Sequence, residues 1–456
     1  MTLDTVRAYD DGRVSTASGH AIVVGAGMAG LVTARVLVDA FETVTLVERD
    51  SFRPEQTVRD GVPQAHHAHG MLEAGRAILE NLFPGYTREV CDAGGVMIDM
   101  ATEFDYYYRD DFLADGSNEL PTLCASRPLF EQIARRRVVG LDRVRARSGC
   151  VFTDYLTDDG QATVRGVHLS NEDGDSEQLV ADLVVDATGR TSRTPRWLER
   201  QGYRPPEVEE VTIDLAYSTV VVERSPERCR ACLVGPSPGR PRGGASLPAE
   251  NDQQILTLFG MNGDHPPTEY PEFLEFAATL PTPEFEHLLA ENEPVSGEVH
   301  HYPFPSNLWR HYERLDRFPD GLLVTGDAIA SFNPIYGQGM SVAALDALHL
   351  HHALAADSRE NLASRFFDRS AETVNAVWRM TVSADFEFPR TEGEKPLGTD
   401  LLNWYLGRLI RTGYTDGYVT EAFARVHRLE QAPTTLFRPS ILSRVLLPHA
   451  LSDQRS

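Results

Sequence analysis

Three glycines and one carboxylate in the stretch HAIVVGAGMAGLVTARVLVDAFETVTLVERD (20–50) point most directly to chemistry. Gly25, Gly27 and Gly30 give G-x-G-x-x-G spacing, and Glu48 follows 18 positions after Gly30. In such a turn the first glycine permits a tight bend. The second lets a pyrophosphate reach the backbone, and the third lets helix and strand pack closely. Met28 and Ala29 lie inside the turn, where a helix N-terminus offers free N–H groups and a partial positive charge. Glu48, with Arg49 beside it, stands where a carboxylate accepts both ribose hydroxyls of an adenosine. The motif fits NAD and FAD equally.

A second constellation lies far downstream in GDAIASFNPIYGQGMSVAALDALHLHHAL (326–354). Gly326-Asp327 follows an apolar strand, and Gly337 and Gly339 sit at the mouth of an alanine-rich helix predicted over 340–354. A helix opened by glycines lets a flat ring approach and stabilises negative charge there. The segment from Pro334 to Met340 would lie against it.

The elements needed to position these residues are legible. Strands at 21–24 and 43–47 flank a helix at 29–38, as in a βαβ unit. An apolar strand at 183–185 ends in Asp186-Ala187-Thr188-Gly189, placing a second small-residue turn beside the first if the strands are neighbours. Residues 144–184 read as a β-meander cut by Asp/Gly turns. The segment 71–82 is an amphipathic helix, and SRPLFEQIARRR (126–137) is a helix capped by Ser126. From 211 to 305, strands at 211–223, 230–234 and 255–261, helices at 270–280 and 284–291, and a last strand at 297–305 lack the βαβ rhythm and read as an inserted sheet. Residues 360–380 and 398–428 are helical, and 1–18 read as a loose arm.

Composition sets the outer bounds. The chain has 456 residues, 41% hydrophobic, with a formal charge of −24, which argues against nucleic acid or an anionic membrane as partner. No stretch approaches the roughly 18 apolar residues of a membrane span, and the N-terminus lacks the pattern of a signal peptide. Five scattered cysteines (91, 124, 150, 229, 232) do not make a disulfide framework, so a cytoplasmic location is expected. Cys229 and Cys232 read as strand residues, and His66, His67 and His69 as polar loop residues near the cofactor; no metal is expected. Oligomeric state is open.

The quoted residues resemble a known family. GAGMAG with Glu48, DATGR at 186–190 and GDAIASFNPIYGQGMSVAAL at 326–345 are similar to the FAD-dependent monooxygenases of the para-hydroxybenzoate hydroxylase superfamily. GVPQAHHAHGMLEAGRAILENLFPG, the SRPLFE helix and LFRPSILSRVL resemble its polyketide-tailoring branch, which holds the polyether epoxidases and a flavoprotein cyclase forming decalin rings in spirotetramate biosynthesis. The resemblance covers roughly 18–450. It implies an α/β fold: a Rossmann-like FAD-binding domain of glutathione-reductase type (18–103, 122–203 and 310–375), an inserted mixed β-sheet substrate domain (204–309 with 104–121) and a C-terminal helical region (376–456). It implies that Gly25, Gly27, Met28, Ala29 and Gly30 hold the ADP pyrophosphate and Glu48 the ribose. Arg127, with Arg59 a weaker candidate, would reach the ribityl or pyrophosphate region, and Gly326-Asp327 the ribityl chain. Pro334, Gly337, Gly339 and Met340 would wrap the pyrimidine edge of the isoalloxazine.

The implied reaction is epoxidation or hydroxylation of a hydrophobic polyketide-like intermediate through a flavin C4a-hydroperoxide. The alternative is a non-redox cyclase that holds a linear polyene for [4+2] closure by proximity. No side chain is assigned to the chemistry; Tyr106, His300, His301 and Tyr302 are candidates for cavity lining. Relatives that reduce their flavin with bound NAD(P)H carry Asp-Gly where this chain has Asp186-Ala187. The electrons are therefore expected from NAD(P)H or an external flavin reductase, if the flavin turns over at all. A halogenase reading lacks its Trp-x-Trp-x-Ile-Pro motif.

Overall fold

A computed structural model of the chain describes residues 1–15, 18–52, 59, 61–158, 160, 163–171, 174–225, 229–356 and 360–447. Five strands run parallel in the order Leu322–Val324, Leu183–Asp186, His20–Val24, Thr43–Val47, Val144–Arg147. The inner strands are apolar almost throughout, as strands covered on both faces must be. Register aligns Val24 with both Val47 and Asp186, and Asp186 with Val324. Three turns, at Gly25, Ala187 and Gly326, therefore leave the sheet side by side at its carboxyl edge.

Close approach at that edge is enforced by glycine. Gly25 has φ +101°, and a Cβ there would sit 2.5 Å from the Ala187 carbonyl oxygen. A Cβ on Gly30 would overlap the Gly25 carbonyl itself. The helix Met28–Ala40 thus lies directly on the first strand, burying Leu31, Val32, Val36 and Leu37. The long helix Gly339–Leu354 packs against it and against Glu73–Leu82.

The other large sheet has eight strands, in the order Ala330–Ser331, His300–His311, Glu207–Glu223, Gln253–Gly260, Arg242–Ala249, Ala231–Val234, Phe104–Tyr108, Asp111–Phe112. Helices Tyr270–Ala277 and Glu284–Glu291 cover one face, where Phe273 and Phe285 pack on Val220, Leu256 and Leu258. The strand expected to stop near 305 continues to His311 and passes its edge to Ala330–Ser331, so this sheet reaches the turn after Gly326. Helices Leu362–Asp385, Thr399–Gly413, Gly417–His427 and Pro439–Leu446 complete the chain. Among the described residues no helix is long and apolar enough to cross a membrane.

Three expectations are corrected. Val144–Arg147 is not part of the meander; it fills the open edge beside Thr43–Val47, and only Cys150–Thr157, Val164–Asn171 and Ser176–Val180 form the antiparallel unit. Cys229 lies outside the strand that holds Cys232. The N-terminal segment is docked rather than loose. Its Leu3 and Asp4 amides donate to the carbonyls of Leu429 and Glu430, and Thr373 donates to that of Met1, so its backbone polar groups find partners without a sheet or helix.

Because the atom that a Gly30 side chain would displace is backbone oxygen, Gly30→Ala is expected to cost at or above the upper end of the ~1–3 kcal/mol typical of overpacking. Thermal unfolding of the variant beside the parent checks this.

Candidate functional site

The cleft at the carboxyl edge begins with the first helix. Gly27 caps Met28–Ala40, no acidic residue lies in the first turn, and a Cβ on Gly27 would meet nothing within 4 Å. The first-turn amides, which have no partners inside the helix, are uncovered on that side. Glu48 is buried where the next strand ends. Its Oε2 accepts the Ala26 N–H at 2.8 Å and pairs with Arg59 at 2.9 Å, while Oε1 accepts the Asp50 N–H at 3.1 Å. A carboxylate has about four acceptor positions, so Glu48 retains capacity for a further donor. Arg49 is exposed at the rim, 3.8 Å from Asp50.

Arg59, read from the sequence as a cofactor contact, is consumed internally. Its guanidinium pairs with Glu48 and Glu131 and donates to the Ala26 carbonyl. Glu131 is the hub that sequence reading missed: it holds Arg59, Arg127 at 3.3 Å and Arg135 at 3.1 Å. The signal was present in the i, i+4 spacing Arg127–Glu131–Arg135. Arg127 is buried, yet its Nη1 makes no hydrogen bond, and its charge acts on Asp327 across the cleft.

Gly326 has φ +63°, and a Cβ on it would lie 2.6 Å from the Ala29 side chain, so the Gly326-Asp327 turn closes onto the first helix. Its amide donates to Asp346 of the long helix at 3.2 Å. Asp346 also accepts Ser370 at 2.7 Å, and burial pushes its carboxyl up to about 6. Asp327 is exposed between buried Gly326 and Ala328, close to the Gly189 turn. Desolvation raises its pKa, opposed by Arg127, Arg190 and Arg310.

The loop before the long helix is shaped by Asn333, whose side chain accepts the Ile335 N–H at 3.1 Å, and by Gly337 at φ +67°. Cβ atoms on Gly337 or Gly339 would meet nothing within 4 Å; Pro334 is exposed and Met340 half-buried. Gln338 is buried and donates to the His427 carbonyl at 3.1 Å, tying the mouth of the helix to the C-terminal helices.

Of the cavity candidates, Tyr302 and Tyr106 come to this region. Tyr302 stacks on Tyr217 with ring centroids 6.4 Å apart and is close enough for Asp327 to act on its phenol. Tyr106 lies beside Tyr108 and lines a cavity with Phe104, Leu113, Phe423, Ala424 and His427. His300 stacks on His66 at 3.8 Å, whereas His301, itself exposed, lies on the opposite, helix-covered face of the sheet and contacts Ser218 at 3.0 Å. His67 is buried against Tyr217, bonds Thr219 at 2.7 Å and is held neutral by burial, its pKa lowered to about 3. Among the described residues no cluster of His, Cys, Asp or Glu could hold a metal ion.

A glycine-lined approach to an open helix N-terminus, a buried carboxylate with spare acceptor capacity, a buried arginine whose Nη1 makes no hydrogen bond and an aspartate on which its charge acts could together hold an extended, doubly phosphorylated nucleotide carrying a polyhydroxyl chain and a flat ring. The chain matches the FAD binding domain family over residues 145–384, and it belongs to that family. It is 34% identical over 435 residues to Protein Rv3254 of Mycobacterium tuberculosis (strain ATCC 25618 / H37Rv), covering 91% of this chain and 90% of the relative. Similar solved structures include the flavin-dependent brominase Bmp2 (TM-score 0.63, 16% identity, 91% of this chain and 94% of that one). Others are PqsL of Pseudomonas aeruginosa, a probable FAD-dependent monooxygenase (0.58, 19%, 89% and 100%), and p-nitrophenol 4-monooxygenase PnpA of Pseudomonas putida DLL-E4 (0.63, 17%, 91% and 98%). The fold is that of the flavin-dependent monooxygenases and halogenases, and the cofactor is FAD.

Two substitutions separate architecture from cofactor binding. Glu131→Ala leaves three buried arginines without their shared anion and is expected to cost about 3–5 kcal/mol in denaturant unfolding. Gly27→Ala is expected to leave the FAD-free protein within about 1 kcal/mol of the parent while lowering the flavin retained through gel filtration.

Proposed function

We propose that the protein is an FAD-dependent monooxygenase that places one oxygen atom on an electron-rich alkene or aromatic carbon of a largely apolar, polyketide-like intermediate, by epoxidation or hydroxylation. What carries this reading is membership of the FAD binding domain family together with the fold shared with FAD-dependent monooxygenases; a narrow pocket along Tyr106 supports an apolar substrate group. It is walled by Phe104, Leu113, Leu120, Phe423 and Ala424, and among the described residues no arginine or lysine lines it. Asp115 and Glu421 are its charged lining residues, so a neutral apolar group is accepted and a carboxylate repelled. Through His427 and Gln338 it adjoins the loop before the long helix.

In this proposal the amides of Met28, Ala29 and Gly30, reached past Gly25 and Gly27, hold the pyrophosphate. Glu48 takes the ribose with Arg49 at the rim, and Arg127 and Asp327 take the ribityl region. Pro334, Gly337, Gly339 and Met340 border the pyrimidine edge of the ring. Bound FAD, once reduced, supplies activation of dioxygen and transfer of one of its atoms. The chain's own part is to favour negative charge on the ring through the N-terminus of Gly339–Leu354, to hold the substrate and to exclude water. His427 is neutral in that wall, its pKa lowered by burial to about 4. Asp186 offers no further handle, because Thr188, Ser192 and Thr194 hydroxyls already occupy its carboxylate. Reducing equivalents therefore come from NAD(P)H without a dedicated Asp-Gly turn, or through an external flavin reductase.

The test mixes the FAD-loaded protein with NADH, NADPH or a flavin reductase, then with apolar polyenes and aromatics under O₂, and reads product mass. Products heavier by one oxygen and dependent on reductant are expected; product of unchanged mass formed without reductant would sink the reading in favour of cyclisation. Ala424→Leu narrows the cavity and is expected to lower kcat/KM roughly tenfold or more with FAD content unchanged.

A further inference from the structure

Behind the loop 333–337 lies a carboxyl that the mechanism above does not use. Asp385, the last residue of helix Leu362–Asp385, is completely buried. Its Oδ2 accepts the Asn307 amide at 2.7 Å; its Oδ1 accepts the Asn333 amide at 2.8 Å and the Tyr336 hydroxyl at 3.3 Å. Among the described residues no arginine or lysine is hydrogen-bonded to it; the nearby Arg109 is paired with Glu387. The other titratable groups acting in this region are Tyr108, Tyr217, Glu387 and Arg109.

The partners differ in what they can do. An amide NH₂ only donates, so Asn307 and Asn333 can serve the carboxylate but cannot accept a proton from it. A phenol can do either. If Asp385 is ionised, Tyr336 donates to Oδ1 and presents lone pairs elsewhere. If Asp385 is protonated, the acid O–H finds its acceptor in the Tyr336 oxygen, and the phenol hydrogen turns away. Tyr336 belongs to the loop bordering the cleft, its ring only half-buried, with the phenols of Tyr106 and Tyr108 near enough to act on its own. We propose that Asp385 is a positioning residue that shares a proton with Tyr336 and so decides whether Tyr336 donates or accepts a hydrogen bond on the side of Tyr106 and Tyr108.

Burial pushes Asp385 up to about 7, with Asn333, Asn307 and Tyr336 opposing, so both states are populated near neutral pH. The sign follows. A carboxyl raised in the folded state binds its proton more tightly than the unfolded chain does. Its contribution to stability is therefore greatest below about pH 4, falls as pH rises and is constant above about 7.

The inference does not depend on which molecule is oxygenated, but its spectral arm rests on the placement of the 333–337 loop beside the flavin. Two readouts keep these apart: thermal midpoint of the FAD-free protein, and the visible flavin band of the holoprotein, each followed from pH 5 to 9. In the parent, the thermal midpoint should fall from pH 5 and level off near pH 7, and the visible band should show a step centred near pH 7. Tyr336→Phe should move the stability step to higher pH, because the ionised carboxylate loses a donor, and should abolish the spectral step. Asp385→Asn should abolish both, and Glu387→Gln should retain both. A Tyr336→Phe profile identical to the parent's in the stability measurement overturns the proposal, even if Asp385→Asn fails to fold. A shifted stability step with no spectral step in the parent leaves the proton pair standing and refutes the loop's place beside the ring.

Discussion

Backbone presses on backbone where Gly30 meets the carbonyl of Gly25 and Gly25 meets that of Ala187, and the rest of the cleft depends on that contact. It brings the helix Met28–Ala40 onto the first strand with nothing between them. From there the long helix Gly339–Leu354 can pack on the first, and Gly326 can close against Ala29. Three strands paired in register then present three turns at one level. The first-turn amides, the Glu48 carboxylate and Arg127 are thereby gathered at that one edge.

Buried charge is handled in two ways around the cleft. Glu131 is surrounded by guanidinium groups and organises Arg59, Arg127 and Arg135 as a charged unit. Such a unit specifies geometry more than it adds stability, since desolvating the ions costs much of what their attraction returns. Asp346 and Asp385 are met instead by hydroxyls and amides, and burial raises both. The first arrangement sits beside Glu48; the second supports the Gly326 turn and the loop before the long helix.

The parts legible in the sequence were those governed by local rules. The glycine spacing with Glu48, the strand–helix–strand rhythm and the glycines opening the long helix all have fixed short periods, and the structure has these elements within a few residues. Contacts set by tertiary packing were not legible. Nothing near Arg59 in the chain announces that Glu131, 72 residues on, absorbs it. Asp346 looked like one acid in an alanine-rich helix until its partner, the Gly326 amide, came into place. His301 and Tyr302 face opposite ways as neighbours in a strand must, but only strand pairing shows that Tyr302 is the one on the side of Tyr217 and the cleft. Asp385 was hidden for the same reason: its three donors come from positions 307, 333 and 336, none within helical reach of it.

The cleft also has a history within each molecule. Its first wall, Gly25–Gly30, leaves the ribosome about 300 residues ahead of Gly326, and the Gly417–His427 helix follows later still. At ~5–20 residues per second that interval lasts roughly 15–60 s. Through about the second half of it the apolar strand Leu183–Asp186 has one edge bare, since its neighbour Leu322–Val324 does not yet exist. The Gly30–Gly25 contact lies within the first strand–helix unit and is available throughout that wait, whereas the Gly25–Ala187 contact is not.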